Sequence, residues 1–206
     1  MADGIKIYND AGTIQIDESY FNLVLLDKVS GSISTPGTFP YPATNYSVTS
    51  DVACIAIQCT PGYFVISGSQ FSSGTWTFRI EFPANGSGGT TNYTIFAFGL
   101  CPTPSETFGI HVKAASGATI FHSQFKPLRV QTVSAANGNY TAASGTNIAC
   151  LILEPSAYAI LGSFLEGNVL RCDGTQIEHV RSHIPGVAPT GTGRDGLYAA
   201  VDVTNY

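Results

Sequence analysis

The sequence predicts an all-β protein made of two tandem antiparallel β-sandwich domains, Ig-like or jelly-roll-like, that are related by internal duplication. No stretch of the 206 residues has a convincing helical period, and short alternating or β-branched runs dominate. Residues 4–25 recur as residues 109–130 with no gap, at a constant offset of 105 positions (Gly4 to Gly109). The matched positions are mostly glycines and apolar residues, whereas the polar positions differ. We therefore interpret the repeat as one that preserves architecture and not a reacting centre.

Further blocks extend the repeat in the same order. They are residues 45–57 and 139–153, 63–69 and 157–163, and 93–99 and 197–203. The offset shortens after the first block, which fits a longer, proline-rich loop at residues 32–44 of the first copy. A period near one hundred residues is too long for a solenoid or a propeller. We therefore expect two homologous domains, 1–104 and 105–206, joined near residues 101–105.

The predicted strands follow from alternation and from β-branched runs. In the first copy they are residues 4–8, 13–17, 22–29, 52–59, 63–67, 74–82 and 92–99. In the second copy they are residues 109–113, 118–122, 127–133, 147–153, 158–161, 169–172 and 197–203. Residues 9–12 and 114–117 are typical of tight hairpin connections that end in a glycine with positive φ. This density of short strands is typical of antiparallel sandwiches or small barrels.

The segment around the only tryptophan alternates cleanly. The large apolar residues on one face are Trp76, Phe78, Ile80 and Phe82, and the residues between them are polar. Such a ladder is either the core face of a strand or a platform on which sugars stack. We favour the core face, because large apolar residues in strict alternation are usually buried.

The composition favours association with other proteins. Only 11% of the residues are charged, against a usual share of about 25%, and the formal net charge is −5. Charge keeps proteins apart, and a surface with so few charged residues opposes association only weakly. We therefore expect neighbouring subunits to cover much of this surface. The nine basic residues are scattered, which argues against a nucleic-acid partner.

No apolar run approaches the length of a membrane span, and the first residues do not form a secretory signal. We expect synthesis in a cytoplasm.

The five cysteines predict buried free thiols. Their number is odd and their spacing is not that of metal ligands. Cys54 and Cys150 occupy equivalent positions of the repeat, inside apolar strands where a free cysteine packs as a small hydrophobe. Cys59 lies five residues after Cys54, so alternation places the two on opposite faces of a strand.

The strongest metal candidate is formed by His179 and His183 with Cys172 nearby. On a strand the two histidines would lie about 13 Å apart, and a histidine pair supplies only half of a zinc site. We therefore favour exposed surface histidines and predict no metal and no other cofactor.

No catalytic residue is predicted. The sequence lacks a Gly-x-Ser-x-Gly elbow, and its carboxylates are few and spread. His111 and His122 fall within the repeated block, where their counterparts are Lys6 and Asp17. We predict that the protein is not an enzyme.

The repeated block resembles the opening of small tail-associated proteins of tailed bacteriophages, which has the pattern G-x-x-ϕ-Y-N-x-x-G-x-ϕ-x-F-D-S. Residues 4–17 and their echo at residues 108–123 carry the motif. Together with the strand that follows it, residues 128–130 in the second copy, the resemblance covers about 25 residues per copy. The second copy departs from the pattern with Lys113-Ala114 in place of Tyr-Asn and with His122 in place of Asp. The resemblance implies a structural component of the virion tail or tail tip.

The leading hypothesis is therefore a virion tail protein, present in several copies, whose partners are copies of itself and other tail proteins. Loops at residues 32–44 and 84–91 would contact these neighbours. An alternative is a module that binds a host receptor or surface glycan, in which Phe39, Tyr41 and Tyr46 supply stacking surfaces, unless these aromatics only hold the loop to its own domain. A capsid decoration protein would use the same fold.

Overall fold

The computed structural model describes residues 6–8, 14–17, 22–36, 41–83, 88–114, 116–135, 139–154, 157–159, 165–166, 168–181, 193–194 and 196–206. Its strands, in chain order, are β1 (Lys6–Tyr8), β2 (Ile14–Asp17), β3 (Leu23–Thr35), β4 (Ala43–Thr49), β5 (Ala53–Ser72), β6 (Thr75–Glu81), β7 (Gly89–Leu100), β8 (His111–Lys113), β9 (Thr119–His122), β10 (Val130–Ala135), β11 (Tyr140–Thr141), β12 (Ile148–Glu154), β13 (Ala157–Ala159), β14 (Leu165–Glu166), β15 (Asn168–Cys172), β16 (Gln176–Arg181), β17 (Gly193–Arg194) and β18 (Leu197–Asp202). The all-β prediction is confirmed. Among the described residues no helix is long and apolar enough to cross a membrane.

Eleven of these strands form one curled antiparallel sheet. Its strand pairings divide it into two layers. The first layer has the order β3-β7-β5-β12-β18-β10 and the second has the order β4-β6-β5-β15-β16-β11. Three smaller sheets complete the structure: the hairpins β1-β2 and β8-β9, and the three-stranded sheet β14-β13-β17.

The long strand β5 belongs to both layers. Residues 53–60 pair with β7, and residues 65–72 pair with β6. The two parts meet at a cis peptide bond between Thr60 and Pro61. The sequence predicts two separate strands here, because Pro61-Gly62 is a typical loop signal. In the structure Gly62 is buried, and a Cβ at this position would overlap the side chain of Thr91.

The main core lies between the two layers. Ile57, Ile95 and Tyr198 enter it from the first layer, and Phe64 and Ile80 enter it from the second. Both predicted copies therefore contribute to one continuous core. Because burial of apolar surface is the dominant favourable contribution to folding, this shared core holds the layers together.

A second core lies on the opposite, outward face of the first layer. Its buried residues are Ala56, Phe96, Phe98, Ala149, Leu151, Ala199, Val201 and Val203. Tyr206, Leu23 and Leu128 pack against them. The segments that contain Leu23 and Leu128 are also hydrogen-bonded to each other, from Leu128 N to Leu23 O at 2.7 Å.

The two hairpins have the same register. In β1-β2, Lys6 pairs with Asp17, and the register shifts after Ile7. In β8-β9, His111 pairs with His122, and the register shifts after Val112. Each of these positions differs from its counterpart by the same 105 residues as in the sequence.

Two details of the predicted alignment need correction. The proline-rich loop at 32–44 is shorter than predicted, because β3 continues to Thr35 and β4 begins at Ala43. Cys54 packs against the second core, whereas Cys150 lies in the main core. Successive strand residues face opposite sides, so two equivalent positions would share a face. The alignment of the repeats is therefore out of register at these cysteines.

The predicted boundary between residues 104 and 105 falls between β7 and β8. Strands from the two sides of this boundary pair directly, since Ile57 of β5 lies opposite Cys150 of β12. The division into two domains stays a prediction.

Candidate functional site

The predicted ligand loop is described only in part. Phe39 lies outside the described residues, and Tyr41 is half-buried. Tyr46 is buried on β4, and its hydroxyl donates a hydrogen bond to Asp27 Oδ2 at 2.8 Å. Burial, this hydrogen bond and the nearby Asp27 charge all raise the pKa of Tyr46 above its ordinary value. Tyr46 therefore holds β4 to β3 and offers no free face for stacking.

The tryptophan ladder lies mainly in the core. Phe78, Ile80 and Phe82 are buried, as the alternation predicts. Trp76 is half-buried at the end of β6, where its Nε1 donates to the carbonyl oxygen of Asp51 at 3.3 Å. Its ring centroid is 5.2 Å from that of Phe71, which is exposed.

The cysteines are free thiols. Cys59, Cys101, Cys150 and Cys172 are buried, as predicted, and Cys54 is half-buried. Burial raises the pKa of Cys59 to about 12 and that of Cys172 to about 12. A thiol reacts as its thiolate, so neither group is an activated nucleophile at neutral pH.

The predicted metal candidate is described only in part. Cys172 is buried, and its Sγ donates to the carbonyl oxygen of Ile148 at 3.2 Å. His179 lies in β16, and His183 lies outside the described residues. Within the ranges given above, no three His, Cys, Asp or Glu side chains are grouped so that they could hold a metal ion.

His111 and His122 form a pair on the hairpin β8-β9. Their ring centroids are 5.2 Å apart with the planes nearly perpendicular. The buried His122 accepts a hydrogen bond at Nδ1 from the Gln124 backbone at 3.1 Å, and His111 Nε2 lies 3.0 Å from Thr119 Oγ1. Desolvation, Lys113 and His122 all lower the pKa of His111. Among the described residues, no carboxylate is hydrogen-bonded to either ring, so nothing orients the pair as a base for the Thr119 hydroxyl.

Apolar side chains are exposed on both outermost strands of the first layer. Val29 on β3 is 38% exposed, and Val130 and Val133 on β10 are 49% and 53% exposed. Within the described residues, β10 pairs only with β18. Apart from its first residues, β3 pairs only with β7 there. Each strand therefore presents an open edge with apolar side chains. Such edges are surfaces for strand pairing with another chain.

Residues 203–206 cover the second core and are held by three cations. Lys28 Nζ donates to the carbonyl oxygen of Tyr206 at 2.9 Å, and Arg129 Nη2 donates to that of Thr204 at 2.7 Å. Lys126 donates to the carbonyl oxygen of Asn205. The Tyr206 ring lies under the Arg129 guanidinium at 4.8 Å and under Lys126 at 5.6 Å. These cations are therefore committed to the protein's own backbone and ring.

A polar cleft of ≈ 500 Å³ lies beside this covered region. Its lining residues come from β3, β7 and β5 and from the turn after β15: Ser30, Gly31, Ser32, Gln58, Cys59, Thr60, Asn92, Tyr93, Thr94, Cys172 and Asp173. The sequence analysis did not identify this cleft. Its only signal is the alternation of polar residues, such as Ser30-x-Ser32 and Asn92-x-Thr94, which any exposed strand face produces.

Comparisons with protein-family models, with curated proteins and with solved structures gave no match to this chain. The fold and the sites described above therefore carry the functional inference.

Proposed function

We propose that this chain is a non-catalytic structural component of a bacteriophage virion, located in the tail or tail tip and assembled in several copies. The observation that carries the proposal is the exposure of Val29, Val130 and Val133 on the two open edges of the first layer. An isolated soluble protein usually protects such edges with charge, proline or a covering element. A subunit of an assembly can instead pair them with copies of itself or with other tail proteins.

The low charge supports the same proposal. Charged side chains make up 11% of the chain. Interface cores are depleted in charged residues, so a surface that is covered by neighbours needs few of them. The resemblance of residues 4–17 and 108–123 to tail-associated proteins supplies the virion context.

We further infer that the halves 1–104 and 105–206 descend from one ancestral sandwich unit by duplication. Two sets of pairings support this inference. The hairpins share one register, and β3-β7-β5 of the first half has the same order as β10-β18-β12 of the second. In the second layer, β4-β6-β5 likewise corresponds to β11-β16-β15.

The virion assignment is tested on purified particles of the phage that encodes the chain. We expect mass spectrometry to detect the chain at a fixed copy number per particle, and gold-labelled antibodies against it to mark the tail. An abundant cytoplasmic protein of the host serves as the control for contamination. Purified particles that lack the chain would refute the assignment, and label on the head would favour the capsid decoration alternative.

A further inference from the structure

We propose that the polar cleft on the outward face of the first layer binds a neutral saccharide. This site lies on the outward face of β3, β7 and β5, whereas the proposed assembly uses the open edges of β3 and β10. The proposal does not depend on the virion assignment.

Six polar side chains form a regular grid on the floor of the cleft. Strand pairing places Ser32, Asn92 and Thr60 side by side in one row. Ser30, Thr94 and Gln58 form the next row on the same face, two residues along each strand. Neighbouring strands are about 4.8 Å apart, and rows are about 7 Å apart. The grid thus offers several polar groups to one ligand, at intervals that a ring bearing several hydroxyl groups can bridge.

The grid offers both donors and acceptors to a ligand. The side chains of Ser32, Thr60 and Asn92 make no hydrogen bond to the part of the chain that is described. Gln58 Nε2 is engaged with Asn147 Oδ1 at 2.8 Å and with the Ile148 carbonyl oxygen at 2.7 Å. These two bonds fix the amide and leave Gln58 Oε1 as an acceptor.

The floor of the cleft is closed from below. Gly31 lies between the two serines of β3, and a Cβ at this position would lie 2.6 Å from the Tyr93 hydroxyl. The glycine therefore makes room for the Tyr93 ring, which stacks on Phe82 with centroids 4.9 Å apart. This packing holds β3 and β7 in the register that sets the grid.

The charges of the cleft disfavour an anionic ligand. Among the described lining residues, the one that carries a charge is Asp173, at one side. Burial raises the pKa of this carboxyl group, but hydrogen bonds from the Thr175 and Gln176 backbones outweigh that effect, so the pKa lies below its ordinary value. Two described cations lie on neighbouring positions and both are engaged: Lys28 is bound to the carbonyl oxygen of Tyr206, and Arg171, whose charge also lowers the pKa of Asp173, is paired with Glu178. A phosphate or sulfate would therefore meet a carboxylate and no available cation.

The size and the polarity favour a small polar ligand over an apolar one. A volume of ≈ 500 Å³ lies within the range of about 300–1,000 Å³ typical of small-ligand sites. An apolar ligand would leave the hydroxyl and amide groups of the floor without water or a partner, which is costly. Because Tyr93, the aromatic residue among the described lining residues, faces the other side of β7 and stacks on Phe82, we expect weak binding, with Kd values in the millimolar range.

The test displays the full chain in several copies on fluorescent beads, so that weak contacts add up, and screens it on an array of neutral, sialylated and sulfated glycans. The glycan that it retains is then titrated by nuclear magnetic resonance. The site variant is Ser30→Ala/Thr94→Val, whose two oxygens are 2.9 Å apart. The control variant is Ser47→Ala/Thr77→Val, which removes an equivalent pair, also 2.9 Å apart, from the outer face of the second layer. We expect about tenfold weaker binding for the site variant and no more than about twofold for the control.

Asn92→Ala provides a second site variant should the double variant fail to fold, because the exposed Asn92 side chain has no hydrogen bond to lose. We expect about fivefold weaker binding and an unchanged melting temperature. The proposal is overturned if the wild type retains no neutral glycan, if it retains only sialylated or sulfated glycans, or if the control weakens binding as much as the site variants.

Discussion

The two layers of the sheet differ in what covers their outward faces. In the first layer, β5 buries the consecutive residues Ile55, Ala56 and Ile57, because one face meets the main core and the other meets the second core. In the second layer, the outer positions of β5 and β6, such as Gln70 and Thr77, are not buried. A strand covered on both faces has continuous apolar sequence, and a strand covered on one face alternates. The part of the first layer that the second core covers therefore offers no outward face to partners, and the exposed valines lie at the edges of the layer.

The outward face of β7 shows the same contrast within one strand. Phe96 and Phe98 lie under the Lys28 side chain and the Tyr206 ring, at 5.2 Å and 6.0 Å respectively. Asn92 and Thr94 lie on the same face beyond this cover and line the cleft. Apolar side chains thus occur where the chain covers itself, and polar ones occur where it leaves the face open to a ligand.

The largest expected effect comes from a comparison of the two parts of β5, one in the first layer and one in the second, at positions that face outward. Ala56→Glu buries an unpaired carboxylate in the second core, so we expect a loss of more than about 3 kcal/mol of folding free energy, or no folding. Gln70→Glu adds the same group on the exposed face of the second layer, where we expect a change within about 0.5 kcal/mol. Urea unfolding followed by circular dichroism measures both. Equal losses would mean that the first layer is not covered on both faces.

A smaller effect is expected from uncovering the second core. Tyr206→Ala removes the ring that packs on Phe98 and lies under two cations, and also the hydroxyl that donates to the Pro127 carbonyl oxygen. We expect a loss of about 2–3 kcal/mol, and of about 1 kcal/mol or less for the control Tyr206→Phe, which keeps the ring. Chemical denaturation measures both. A similar loss for the two variants would assign the effect to the hydroxyl and not to the covering ring.

The smallest effect concerns the contact between the layers at Tyr46. Tyr46→Phe removes the hydrogen bond to Asp27 and should cost about 1 kcal/mol at pH 8. The pKa of Tyr46 is raised in the folded protein, so its contribution is complete below the unfolded value near 10 and is lost as the pH rises above it. The difference between wild type and variant should therefore shrink at pH 11. A difference that is independent of pH would contradict the raised pKa.

Much of the fold follows from local sequence pattern. The hairpin offset and most strands are predictable, because alternation and turn glycines act over a few residues. Gly117 has the expected positive φ of 86°. β4 was not predicted although its residues alternate, because it follows directly on the proline-rich stretch. β16 alternates weakly, and the unpredicted strands β11, β14 and β17 are too short to give a pattern. The continuity of β5 was not predicted either, because Pro61-Gly62 is a loop signal unless the tertiary structure accommodates it.

The candidate sites were less predictable, because they depend on pairing between distant strands. The cleft combines residues 30–32 with residues 92–94 and with Asp173, and only the strand order brings these together. The burial of Tyr46 likewise depends on the position of Asp27, which lies 19 residues away in sequence. Local periodicity identifies which residues share a face, but it does not identify what covers that face.

Assembly through the open edges of the first layer is tested most directly by sedimentation velocity over a range of protein concentrations. We expect the wild type to associate, and Val130→Lys/Val133→Lys to sediment as a monomer, because lysine on an edge strand opposes pairing. The control Val52→Lys alters a valine of similar exposure, 49%, in the connection between β4 and β5 and should leave association unchanged. A wild type that stays monomeric at every concentration, or equal effects of the edge and control variants, would contradict the account.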